Sequence, residues 1–361
     1  YRVLRLIGRG GMGSVYLGQH AVIGRHVAIK VLHGELAGDE EMVTRFYREA
    51  RAAAAIGHRN IIDVFDVGVT ALGEPYLVME YLEGESLAHL LQRSGPLDVG
   101  RAVWILAPVL EALGAAHRKS IVHRDLKPDN VFLVQREEGP PSVKLIDFGI
   151  SKMAPGGADS TRLTRTGAML GTPAFMSPEQ AMGEGEIDAR SDLYGAGAIF
   201  YEMLTGALPF KGQSFNSLLL AIFNDDPRPP REVNPSFPAA AEPVVLKALA
   251  KSPDDRYQTA AEMLAALRAL PGADPAAADD DLPPRLERVS FASGDLGDAV
   301  DTVSLDVAAD VLEKLSGETE PGGWATTRTA GNDRATGRWI ALTLALVAAA
   351  AIAAVVIALV G

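Results

Sequence analysis

The sequence predicts an α+β chain: a small strand-rich lobe, a larger helical lobe, an acidic linker and one apolar helix. Three observations predict it. The first 80 residues carry β-branched and aromatic runs bounded by Gly or Pro, helical spacing of apolar residues dominates from residue 97, and residues 339–360 contain no charge. The 361 residues exceed one ordinary domain and hold a core of roughly 250 residues plus appendages.

Taken in order, "YRVLRLIG", "SVYLGQH", "RHVAIKVL", "IIDVFDVGV" and "PYLVMEYL" read as strands. One helical stretch, "EEMVTRFYREARAAAAI", interrupts them. Beyond residue 97, "GRAVWILAPVLEALGAAHRK" and "AAAEPVVLKALA" show the spacing of helices that bury one face. This places a first lobe at about 1–82 and a second at about 83–270.

Residues 271–338 turn to Ala, Asp, Pro, Gly and Thr, with 14 acidic and 6 basic side chains, a balance of −8. Such a segment buries too little apolar surface to offset its ordering entropy and is expected to be a disordered tether. Within it, "DAVDTVSLDVAADVLEKL" offers a short transient helix. The charge-free run 339–360 has 22 residues, about 33 Å as a helix, which matches the hydrocarbon core of a bilayer. Arg328, Arg334 and Arg338 precede it and no charge follows, so the N-terminal side is expected in the cytoplasm, on the inner face of the cell membrane. The chain opens at Tyr1 rather than methionine, which suggests a cut N-terminus. After the span, either a further domain is missing or the chain is tail-anchored.

Composition excludes other classes. The chain has no cysteine, which rules out a disulfide framework and a zinc–thiolate site. A net charge of −12 argues against nucleic acid as a partner. The seven histidines lack metal-site spacing.

Chemistry concentrates in three places. "HRDLKPDN" (123–130) packs an imidazole, a guanidinium, two carboxylates, an ammonium and an amide into eight residues. A core strand does not tolerate that density, because each unpaired charge is costly to desolvate. "GRGGMGSV" (8–15) fits G-x-G-x-x-G-x-V and continues into the strand Val15–Leu17. The glycines therefore sit in a hairpin, where backbone N–H groups can approach phosphates. Fifteen residues beyond Val15, Lys30 ends "VAIK" and needs an anionic partner; Glu49 is the best placed, ahead of Glu40 and Glu41 in the first helical turn.

With "DFG" at 147–149 and "SPEQ" at 177–180, these ordered motifs make the sequence resemble the eukaryotic-type (Hanks-type) Ser/Thr protein kinases, in their membrane-anchored bacterial branch, over residues 1 to about 268. "SPEQ" has Ser177 where the pattern usually has Ala. The resemblance implies a bilobal protein kinase fold, ATP and Mg2+ as cofactors, and protein Ser or Thr as acceptor. Asp125 would be the base, Lys127 would neutralise the transferred phosphate, and Asn130 and Asp147 would hold the metal. Lys30, held by Glu49, would bind the phosphates. Ile7, Gly8, Gly10, Gly11, Gly13 and Val15 would cover the nucleotide, Glu80 and Leu82 would bond the base through their backbones, and Met79 would guard the pocket. Lys127 and "GTPAF" at 171–175 favour Ser/Thr over Tyr.

The resemblance also implies structural roles. Glu179 would pair with Arg256, Asp192 would brace the catalytic loop, and His123 would pack rather than act as a base. Arg124 would meet a phosphorylated activation loop, whose candidates are Thr164 and Thr166 among Ser151, Ser160, Thr161 and Thr172. Thr172 fits better as a brace for Asp125. A homodimer is a further implied partner, with Ala349 and Ala353 as small residues on the span. The alternatives are an inactive kinase-fold scaffold, which would have lost one of Lys30, Asp125, Asn130 and Asp147, and a small-molecule kinase.

Overall fold

The computed structural model describes residues 1–135, 141–148, 173–183 and 187–273. All belong to one compact unit, Tyr1–Val311. The expected tether beyond Ala273, the charge-free run 339–360, and Thr164, Thr166 and Thr172 lie outside the described residues.

The five strands read from the sequence form β1 (Arg2–Arg9), β2 (Gly13–Gln19), β3 (His26–Leu32), β4 (Val64–Val69) and β5 (Pro75–Glu80). They make one antiparallel sheet in the order β1-β2-β3-β5-β4. Between β3 and β4 come a short turn of helix, α1 (Gly34–Ala37), and the long α2 (Glu40–Ile56). Asp39 caps α2 by accepting hydrogen bonds from the N–H groups of Glu41 and Met42, and Gly57 ends it in a left-handed conformation. Phe46, Tyr47, Ala50, Ala53 and Ile56 are buried on one side of α2, the pattern expected of a surface helix packed on a sheet.

The second lobe is helical: α3 (Leu87–Ser94), α4 (Val99–His117), α5 (Pro178–Met182), α6 (Ala189–Thr205), α7 (Phe215–Asn224), α8 (Pro230–Val233), α9 (Glu242–Ala248) and α10 (Ala260–Arg268). It also carries a three-stranded sheet of β6 (Gly84–Ser86), β7 (Val131–Val134) and β8 (Ser142–Leu145). Helix α4 packs against α6 and α10, and the core runs through Leu106, Leu110, Ile199, Phe200 and Met263, all at or near zero exposure. By length and composition α4 is apolar enough to cross a membrane, but 67% of it is buried inside this lobe. It is the lobe's core helix. The small sheet was not read from the sequence, because its strands are three or four residues long, too short for a period to show.

The sheet and the helical lobe meet around the parallel bridge Ile61↔Leu145 and the Ile62 N–H bond to Leu145 O, 3.0 Å. That junction brings Asp147, which follows β8, to Lys30 of β3.

Candidate active site

Lys30 lies on β3, opposite Val15 of β2 and Leu77 of β5. Its Nζ is 2.7 Å from Asp147 Oδ1. Burial opposes the ammonium, but Asp147, Glu49 and Asp125 outweigh it and raise the Lys30 pKa. The sequence reading named Glu49 as the residue that holds Lys30; Glu49, half-buried on α2, acts on this ammonium together with the ion-paired Asp147.

Asp147 follows β8 with φ +53°, a left-handed conformation uncommon outside glycine. Partial desolvation in the cleft works against its charge. The ion pair with Lys30, with help from Lys127 and His123, still holds the carboxyl below its usual range. A carboxylate kept ionised and half-open to the cleft is suited to binding a cation.

The residues of the loop 123–130 gather beside it. Asn130 Nδ2 donates to Asp125 O at 2.8 Å and to Asp125 Oδ2 at 3.2 Å, and Lys127 Nζ lies 3.2 Å from the same oxygen. Pro128–Asn130 form a single 3-10 turn, which brings Asn130 back onto Asp125. Over the sheet, the glycine-rich segment closes as a hairpin: Gly10 N–H donates to Gly13 O at 2.9 Å, and Gly8 pairs with Val15. Gly13 is required sterically, because a Cβ there would lie 2.3 Å from Val31 O. Ile7 is half-buried on β1, next to the hairpin.

Over residues 1–266 the sequence matches the protein kinase domain. The chain belongs to the protein kinase family. It is 48% identical over 268 residues to the Serine/threonine-protein kinase Pkn1 of Myxococcus xanthus, covering 74% of this chain and 38% of that one. Against the Serine/threonine-protein kinase PknB of Mycobacterium leprae the identity is 43% over 270 residues, covering 74% and 42%. The chain thus spans less than half the length of these two relatives. The crystal structure of the Mycobacterium tuberculosis PknI kinase domain superposes with a TM-score of 0.56 at 29% identity, covering 74% of this chain and 94% of that one. The bilobal kinase fold is the fold observed.

Several ties hold the kinase loop in shape. Asp192 on α6 accepts from the N–H of His123 (2.8 Å) and of Arg124 (2.9 Å), and its Oδ2 also meets His117 Nε2 at 2.8 Å. Arg124 has φ +65°, and its carbonyl accepts from Gln180 Nε2 at 2.8 Å. The His123 ring is fully buried, packs against Phe148 with centroids 4.6 Å apart, and accepts from the Asp125 N–H. It is a packing residue. Glu179 and Arg256 form a bidentate pair at 2.7 and 2.8 Å, and Ser191 Oγ donates to Glu179 at 2.6 Å. Burial opposes the Glu179 charge, but these donors hold its pKa at about 2.

Between the lobes, Met79 is buried on β5 and Glu80 ends that strand. The Glu80 carboxylate pairs with Lys144 of β8 and accepts from the Asp63 N–H at 2.9 Å; Lys144 also lies 3.6 Å from Asp63. Leu82 follows in the connection to β6. The sequence reading missed Lys144. Its signal was a lysine inside the apolar strand "SVKL", three residues before Asp147.

Proposed function

We propose that the chain is an active, membrane-tethered Ser/Thr protein kinase that transfers the γ-phosphoryl group of ATP to Ser and Thr hydroxyls of proteins. The observation that carries this reading is the convergence of Lys30, Asp147, Asp125, Lys127 and Asn130 in one cleft. An inactive scaffold would be free to lose any of them.

The residues suit magnesium–ATP. Magnesium takes one or two carboxylates together with phosphate oxygens and water. Asp147 supplies an ionised carboxylate, and Asn130, whose Nδ2 is committed to Asp125, offers its amide oxygen. Bound there, the ion neutralises charge on the phosphates. Lys30 would shift part of its Asp147 contact onto phosphate oxygens, with Glu49 keeping the ammonium in place. Asp125 orients the acceptor hydroxyl and takes its proton as the new O–P bond forms and the bond to the ADP oxygen breaks. Lys127 counters the charge of the group in flight. Loose phosphoryl transfer depends on this kind of positioning and charge neutralisation. Backbone groups of Glu80 and Leu82 would bond the adenine, with Met79 behind it.

Asp125→Asn tests the reading. Transfer of radiolabelled phosphate to myelin basic protein should fall about 10²–10⁴-fold, while ATP affinity stays near wild type. Near-wild-type transfer by the variant would show that another group is the base. An aminoglycoside or choline phosphorylated in preference to protein would point to a small-molecule kinase.

Residues 339–360 would anchor the enzyme through the tether 271–338, a proposal supported by the uncharged run. Deleting 339–361 should move activity from the membrane fraction to the soluble one; retention in the membrane pellet without aggregation would mean another anchor. Activation would come from phosphate on Thr164 or Thr166 pairing with Arg124, delivered in trans between tethered copies that pack through Ala349 and Ala353. A Thr164→Ala, Thr166→Ala double variant should lose most activity at low enzyme concentration, and full activity there would rule the switch out.

A further inference from the structure

The β2–β3 ladder ends at the pair Gly13↔Leu32. One position further, the His33 N–H donates to Met12 O at 3.0 Å, adding a rung outside the ladder. The His33 ring returns to the same hairpin: its Nε2 is 3.2 Å from Ser14 Oγ, and Ser14 is only 6% exposed. In the other direction, His33 O accepts from the N–H groups of Leu36 (2.8 Å) and Ala37 (3.1 Å), starting α1. The Asp39 N–H then bonds Leu36 O at 3.1 Å, and Asp39 caps α2, the helix that carries Glu49. A single residue thus ties the return limb of the glycine hairpin to the helix that faces Lys30.

From this we propose that His33 is a positioning residue: its ring, through Ser14, holds the phosphate-covering hairpin in register with α2. The proposal rests on the reading of residues 8–15 as that hairpin. Four glycines in the hairpin make its unbound ensemble broad, because glycine loses the most backbone freedom on ordering. A side-chain tie at Ser14 narrows that ensemble before phosphate arrives, and preorganisation of this kind appears as affinity. The ring is half-buried and borders a cavity of about 240 Å³ lined by Tyr16, Val31, Glu35 and Glu74. Truncating it therefore opens no sealed core, and the variant should fold.

The test compares ligands with and without phosphates, by calorimetric titration of the full chain with magnesium–ATP and with adenosine. His33→Ala should weaken ATP about fivefold, the effect of one net hydrogen bond, and leave adenosine affinity unchanged, since adenosine carries no phosphate for the hairpin's backbone N–H groups to meet. Ser14→Ala should behave alike, and the double variant should be no weaker than either single one. His33→Gln, which keeps a hydrogen-bonding nitrogen at similar reach, should restore ATP affinity. Equal losses for ATP and adenosine, unchanged ATP affinity, or additive losses in the double variant would each overturn the proposal. Wild-type chain that binds no ATP overturns it together with the functional reading. The expected binding pattern without phosphate transfer to protein would overturn the kinase reading alone and leave His33 in its role.

Discussion

Two ion pairs in this molecule have similar separations and different surroundings. Glu179–Arg256 sits in the helical lobe with side chains 13% and 0% exposed. Both arginine terminal nitrogens meet the carboxylate, and the guanidinium's other donors reach the carbonyls of Ala250, Lys251 and Arg190. Lys30–Asp147 bridges the lobes through one oxygen, with the aspartate side chain 49% exposed to the cleft. A buried pair with every donor placed is costly to break, since removing one partner strands the other charge. A singly bonded pair beside open space can exchange its partner for phosphate or metal. Commitment of the donors separates a lock from a working site.

The contrast can be broken by substitutions on each side. Arg256→Met should produce the largest effect, a loss of about 3–5 kcal/mol in unfolding free energy by urea titration, while the folded fraction still transfers phosphate. A stable but inactive variant would move this pair into the chemistry. Lys30→Met should do the reverse. Its transfer rate should drop about 10²–10³-fold, with stability within about 1 kcal/mol of wild type, because Asp147 regains water. Should Lys30→Met unfold the protein instead, the cleft pair is also a lock.

Acid sharpens the comparison further. Glu179 is held at about 2 against an ordinary value of 4.5, so its contribution is fully present above pH 4.5. It is lost as pH falls from there towards 2, and amounts to about 3 kcal/mol. Urea unfolding between pH 6 and pH 3 should therefore show a steeper loss for wild type than for Glu179→Gln. Parallel curves for the two proteins would show that Glu179 does not carry this share of the acid sensitivity.

What the sequence determined by itself was everything carried by short spacing. The five strands and the helix at 40–56 follow from local apolar period and turn residues, which do not depend on distant chain. The glycine hairpin was legible because Val15–Leu17 continues as a strand, and the loop 123–130 because its charge density has no place in a core. The brace at Asp192 and the partner for Glu179 came from family resemblance rather than from period or spacing. Tertiary structure alone decided which charges meet across the cleft. Lys30 lies 117 residues from Asp147, and Lys144 lies 64 from Glu80; several acids competed for the first lysine, and nothing local selected among them. The same holds for Ser14 and His33, 19 residues apart, which meet only because β2 and β3 pair in one register. Side-chain partners across the cleft are fixed by how the two lobes pack at Ile61, Ile62 and Leu145. That packing sums many weak contacts from distant segments, and no single stretch of sequence contains it.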